Sequence, residues 1–174
     1  PLYSSAASDV YKRQLDTIAK ALREKRFAAG AINFDRYEVK FEIDEKGKPI
    51  SVYFKESKDA NKLVEEFMLL ANRTVAEFVG KVPKNKKPKV LPYRIHDLPD
   101  PEKLENLSQF IARFGYKVRT SGTKTDISKS INHLLDDIHG KKEENLIETV
   151  SIRAMQKARY STHNIGHYGL AFEY

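Results

Sequence analysis

The chain has 174 residues, 40% hydrophobic and 32% charged, with 31 basic against 24 acidic side chains and a formal net charge of +7. That length suits one ordinary domain, or part of one, and excludes several. No apolar run approaches the roughly 20 residues needed to cross a bilayer, and zero cysteines removes disulfides and thiolate metal sites, so the expected compartment is the reducing cytoplasm.

Residues 1–14 carry Ser4-Ser-Ala-Ala-Ser8 and Val10-Tyr-Lys-Arg-Gln14, with no period that continues past Leu15. The segment resembles a translated adapter of the sort left at the ends of metagenomic assemblies, and is expected to be non-native and outside the fold. From Leu15, apolar Leu15, Ile18, Ala19 and Leu22 recur at helical spacing among Lys20, Arg23, Glu24 and Lys25, which predicts an amphipathic helix over 15–26 ended near Gly30. Val39, Phe41 and Ile43 then alternate with charged residues, Asp44-Glu-Lys-Gly47 turns, and Ile50, Val52 and Phe54 alternate again. This predicts a half-buried hairpin.

Asp59 is the expected cap of a long core helix whose stripe runs Leu63, Val64, Phe67, Met68, Ala71, Val75, Phe78 and Val79 to Gly80. The lysine- and proline-rich run 81–89 reads as an exposed loop. A short strand is expected over 93–95, and Pro99-Asp-Pro101 opens a helix with stripe Leu104, Leu107, Phe110, Ile111 and Phe114, stopped at Gly115. After a polar loop over 120–125, Asp126 is expected to cap a helix carrying Ile127, Ile131, Leu134, Leu135 and Ile138. A last helix is expected over 143–158 and a strand from Tyr168 to Phe172. The order, helix, hairpin, helix, strand, three helices, strand, is that of an α+β chain: about five helices packed with a hairpin and further short strands.

Composition and spacing alone carry little chemistry. Five histidines invite a metal reading, but His163 and His167 are separated by Asn164-Ile-Gly166, no helix spans them, and converging ligands cannot be assembled, so surface or hydrogen-bonded histidines are expected. The pairs Glu65-Glu66 and Asp136-Asp137 point about a quarter turn apart on their helices and read as solvated faces. The positive charge weakly favours a polyanionic partner, but on charge alone a solvated lysine surface is the preferred reading.

Three ordered motifs add more. Val64-Glu-Glu-Phe-Met-Leu-Leu-Ala-Asn72, Tyr93-Arg-Ile-His-Asp97, and Met155-Gln-Lys-Ala-Arg-Tyr160 with Asn164-Ile-Gly-His167-Tyr-Gly-Leu-Ala-Phe-Glu-Tyr174 resemble the catalytic RNB domain of the ribonuclease R and ribonuclease II family, on its ribonuclease R side. The resemblance covers residues 15–174 and implies an interior fragment of a hydrolytic 3′-to-5′ exoribonuclease that degrades RNA processively to 5′-mononucleotides. It implies a cytoplasmic enzyme, monomeric when intact, that acts on the 3′ end of single-stranded RNA with Mg2+. On it, Phe34 stacks on the terminal base, Glu66, with Glu65 beside it as the alternative in register, lines the RNA channel and contacts ribose hydroxyls, and His167 belongs to the channel wall or supports the catalytic shell. It also implies that the metal-binding aspartates and the arginine motif lie outside the chain, so that no catalytic residue and no metal ligand is expected here and the isolated chain is expected to be inactive. Two rival readings are a non-catalytic basic RNA-binding module, using residues 81–89 with Phe34, Tyr37 and Tyr53, and a protein-interaction domain with incidental charge.

Overall fold

No glycine or proline interrupts the sequence between Leu2 and Ala29, and strong helix formers dominate it from Lys12 on, so one helix, α1 (Leu2–Ala28), runs the whole way. The computed structural model describes residues 2–34, 38–55, 57–83 and 85–174, with the backbone alone for residues 2–7 and 38. The helix therefore starts at Leu2 rather than at Leu15, taking in residues expected to stand apart. Tyr37 lies outside the described residues.

The alternating segments form an antiparallel hairpin, β1 (Glu38–Ile43) and β2 (Pro49–Lys55), with Val39 opposite Phe54 and Phe41 opposite Val52. Asp44 builds the turn by accepting at Oδ1 from the Lys46 and Lys48 N–H groups, and Gly47 sits at φ +80°, where a side chain would be strained. The expectation of half burial fails: Phe41 is 59% and Phe54 69% exposed. Alternation distinguishes two faces of a strand pair but carries no information on whether anything covers the apolar one.

Next along the chain is α2 (Asp59–Gly80), with Lys58 rather than Asp59 in the capping position. In place of the expected core helix, its one fully buried residue is Glu66, while Val64, Met68, Val75 and Phe78 are exposed. Its partner is α1, and the contacts climb both helices together, Lys20 to Asp59 and then Arg23 and Arg26 to Glu66.

The core lies in the C-terminal half. α3 (Pro101–Ala112), α4 (Lys124–Ile138) and α5 (Glu144–Ala154) pool their stripes, so that Leu104, Leu107, Ile111, Ile131, Leu134, Ile138 and Ile147 are almost wholly buried, with Ile32, Val118 and Met155 around them. Each such side chain contributes about 1.5–3 kcal/mol relative to exposure. α3 opens at Pro101 as expected, and the Asp100 carboxylate caps it, accepting from the Glu102 and Lys103 N–H groups. α4 is capped by Thr123, not Asp126: Asp126 stands in the first turn and closes the reciprocal box, its carboxylate accepting from the Thr123 N–H and its own N–H donating to Thr123 Oγ1. Donation from the Thr123 hydroxyl, and then from its main-chain N–H, holds the Asp126 carboxyl below its ordinary value.

The last strand lies elsewhere than expected. β3 (Tyr93–Ile95) pairs antiparallel with β4 (Arg159–Ser161), and the segment expected as a strand forms a single 3-10 turn, Tyr168–Leu170, followed by Ala171 at φ 53°. A strand of three residues shows no period. The 3-10 turn closes tightly, the Ala171 N–H donating to the Tyr168 carbonyl. Among the described residues no helix is long and apolar enough to cross a membrane.

Candidate nucleic-acid interface

β3 delivers His96 to the meeting point of four segments. Its main-chain N–H donates to the Gly166 carbonyl at 3.1 Å and its carbonyl accepts from the Tyr168 N–H at 2.9 Å, sewing β3 to the glycine-rich turn. The turn holds His167 with its ring centroid 4.9 Å from that of His96. Gly166, at φ +83°, admits no side chain, since a Cβ would stand 2.6 Å from the Phe172 carbonyl oxygen.

Residues 31–33 lead from α1 towards the hairpin across the same region. The side-chain amide of Asn132, on α4, clamps them, donating to the Ala31 carbonyl and accepting from the Asn33 N–H. The Ile32 N–H donates to the Gly169 carbonyl at 3.0 Å. Phe34 emerges from this anchored stretch half-buried, packed against the core of the helical half.

A cleft of about 1300 Å³ opens where these elements meet. Its floor is apolar, from Ile32, Phe34, Ile95, Leu107, Phe110 and Met155; its rim is basic, from the exposed Lys103, Arg153, Lys157 and Arg159, with Asp97 as the one acidic lining residue. His96 and His167 line it as well. An aromatic floor beneath a cationic rim suits a single-stranded polyanion with stackable bases: rings take a base of any sequence, and cations follow the backbone.

The two histidines differ in what they can offer. His96 has both ring nitrogens engaged by main-chain groups, Gly169 N–H at 3.0 Å and the Gln156 carbonyl at 2.8 Å. His167 Nδ1 is buried, with no hydrogen-bond partner among the described residues. Burial first, and then the neighbouring His96, push the His167 pKa down to about 4, so the ring is neutral at physiological pH. Burial also pushes Tyr168 up to about 12.

Of the three residues singled out in the sequence, the fold brings Phe34 and His167 into this one cleft. Glu66 lies elsewhere, 3% exposed between α1 and α2, where the Arg26 guanidinium grips both of its oxygens and Arg23 Nη1 stands 3.8 Å away. Glu65 reaches Arg26 Nη2 at 3.3 Å. The lysine-rich run 81–89 is exposed and does not line the cleft, with Lys84 outside the described residues; Tyr53 sits on the hairpin, 52% exposed. Among the described residues no group of three or more His, Asp or Glu side chains converges as a metal would require.

Sequence reasoning missed Asn132, His96 and the rim arginines. Asn132 did leave a trace, since it is a polar residue beside Ile131, on the side of α4 that carries Ser128 and Leu135. His96 was visible only as part of the motif over 93–97, its role hidden because its partners are main-chain groups, and Arg153, at the solvent, left no trace.

The RNB domain model matches residues 4–174. The chain belongs to the RNB domain family. Within it, the chain is 39% identical over 165 residues to ribonuclease R of Aquifex aeolicus, covering 93% of this chain and 22% of that protein. It is 31% identical over 160 residues to ribonuclease R of Escherichia coli, covering 92% of this chain and 19% of that protein. It thus spans about a fifth of the length of these relatives and matches a fragment of ribonuclease R. The RNB fold is shared with Mycoplasma genitalium RNase R in its apo form, at a TM-score of 0.77 and 22% identity over 92% of this chain and 24% of that one. The same protein in complex with ribose-methylated single-stranded RNA gives the same TM-score and identity.

Proposed function

We propose that this chain forms the RNA-channel portion of the catalytic domain of a 3′-to-5′ exoribonuclease that removes 5′-mononucleotides processively from single-stranded RNA. The observation that carries the reading is the cleft in which Phe34 and His167, far apart in sequence, lie together over an apolar floor with Lys103, Arg153, Lys157 and Arg159 at its rim. Phe34 stacks on the 3′-terminal base, a contact worth roughly 1–3 kcal/mol per base and indifferent to base identity. The rim cations follow the phosphates, and the neutral His167 forms part of the wall. Glu66 acts through its ion pair with Arg26, which fixes α1 on α2.

The reading includes a cytoplasmic, monomeric parent enzyme that uses magnesium. The described residues do not fit a magnesium site, since no carboxylate cluster converges among them. No hydrolytic step is therefore assigned to this segment, and the 174-residue chain alone is expected not to shorten RNA.

The test is made in a full-length enzyme that carries this segment. Phe34→Ala slows the release of mononucleotides from a 5′-labelled single-stranded RNA and spreads the ladder of intermediates, because each cycle loses its grip on the new end. An unchanged rate and ladder, with the variant folded, would refute the role of Phe34. Shortening of RNA by the purified 174-residue chain with magnesium, co-eluting with the protein, would refute the assignment as a channel wall only.

A further inference from the structure

His96 sits one residue beyond β3 and spends both ring nitrogens on main-chain groups of two other segments. The Gly169 N–H can only donate, so Nδ1 accepts from it at 3.0 Å. The Gln156 carbonyl can only accept, so Nε2, at 2.8 Å, carries the proton. The partners thus fix one neutral tautomer. Gly169 in turn passes the connection on: its carbonyl accepts from the Ile32 N–H at 3.0 Å, two residues before Phe34. Gly169 is also shaped to the ring, since a Cβ there would lie 3.0 Å from His96 Nδ1 and 3.2 Å from Cε1. A hydrogen-bonded line therefore runs from the end of α5, through the His96 ring and Gly169, to the stretch that presents Phe34.

We propose that His96 is a positioning residue that sets the depth of Phe34 in the cleft, acting through Gly169 on Ile32, and thereby controls how a 3′-terminal base stacks. This rests on the proposed role of Phe34 as the base platform. His96 itself has no ring nitrogen left to offer an RNA, so its effect passes through Phe34.

The asymmetry of the ring makes the inference testable by graded replacement. In His96→Asn the side-chain oxygen takes the place of Nδ1 and keeps the Gly169 bond; in His96→Gln the amide reaches towards Gln156 and gives up the Gly169 bond. Gly169→Ala presses on the same link from the other side, because its Cβ would push the His96 ring back by a few tenths of an ångström. The probe is a single-stranded RNA bearing 2-aminopurine at its 3′ end, titrated into the 174-residue chain, with melting temperature recorded for every variant. His96→Gln and Gly169→Ala are expected to weaken binding several-fold and to relieve the fluorescence quenching, while His96→Asn retains both. In a Phe34→Ala background neither His96→Gln nor Gly169→Ala should cost anything further, because the line then ends on nothing.

Losses that add fully to that of Phe34→Ala, or quenching that His96→Gln and Gly169→Ala leave intact, would overturn the inference while leaving the Phe34 reading standing. If Phe34→Ala alone changes neither affinity nor quenching, the platform reading falls and the inference falls with it. Should His96→Gln fail to fold, Gly169→Ala against His96→Asn makes the same comparison.

Discussion

Replacing Glu66 with glutamine leaves the guanidinium of Arg26 buried without its main counter-charge. In the native chain Arg26 is 7% and Glu66 3% exposed, and Arg26 holds both carboxylate oxygens, through Nε at 3.3 Å and through Nη2. Removing one partner of a buried pair costs about 3–5 kcal/mol, because the remaining charge has lost both water and partner. Two features soften the loss: Glu65 stays within 3.3 Å of Arg26 Nη2, and its carboxylate is about half exposed and free to move closer. The expected cost is therefore at the lower end, about 3 kcal/mol, or a fall in melting temperature of about 9 °C for a chain of this size. Thermal unfolding followed by circular dichroism reads it directly. The apolar double replacement Arg26→Met with Glu66→Leu should recover most of the loss, since neither charge then has to be desolvated. A melting temperature for Glu66→Gln within a degree or two of the parent, together with a large loss of RNA affinity, would refute the ion-pair account and return Glu66 to the channel.

The same geometry sets three further outcomes. Ile147→Ala opens a cavity at a fully buried site between the C-terminal helices and should cost about 2–5 kcal/mol in chemical denaturation, whereas a cost under about 1 kcal/mol would show that the core is looser than its burial implies. Because the His167 pKa is depressed in the folded chain from 6.5 to about 4, its contribution to stability is fully present above pH 6.5 and is lost as the pH falls towards 4, where the unfolded chain takes up a proton that the folded one refuses. His167→Phe should flatten the melting temperature over that window, and an unchanged slope would contradict the burial of the ring. Phe41→Ser with Phe54→Ser, on the exposed hairpin face, should leave the melting temperature within about 2 °C while reducing the binding of a hydrophobic dye; a large drop in stability would mean that the face is covered.

The helix order was legible because α3, α4 and α5 each bury one stripe at helical spacing and Pro101 opens α3, although the cap of α4 was expected at Asp126 and lies at Thr123. Burial was less legible. The stripes of α2 and the hairpin look in sequence like those of α3, yet Phe78 is 85% exposed where Leu107 is 1%, because a stripe records the side that prefers to be covered and not its cover. β4 was not expected, although β3, of the same length, was, and the turn over Tyr168–Leu170 escaped notice for a backbone geometry that residue types only weakly dictate. In the site, Phe34 and His167 were found through motif resemblance. The elements that join them, Asn132 holding residues 31–33 and His96 holding Gly169, work through main-chain atoms of distant segments, which no local pattern encodes.

The most direct test is a fluorescence anisotropy titration of a labelled single-stranded RNA against the 174-residue chain across a range of salt, comparing Phe34→Ala, the rim pair Arg153→Gln with Arg159→Gln, and a loop variant in which Lys86, Lys87 and Lys89 become glutamine. The cleft account predicts that Phe34→Ala loses about 1–3 kcal/mol of affinity with its salt dependence intact. It predicts that the rim pair lowers the slope of log affinity against log salt by about 1.4, and that the loop variant binds as the parent does. Binding that survives Phe34→Ala and the rim changes but collapses in the loop variant would contradict it, and would make the chain a basic RNA-binding module working through residues 81–89.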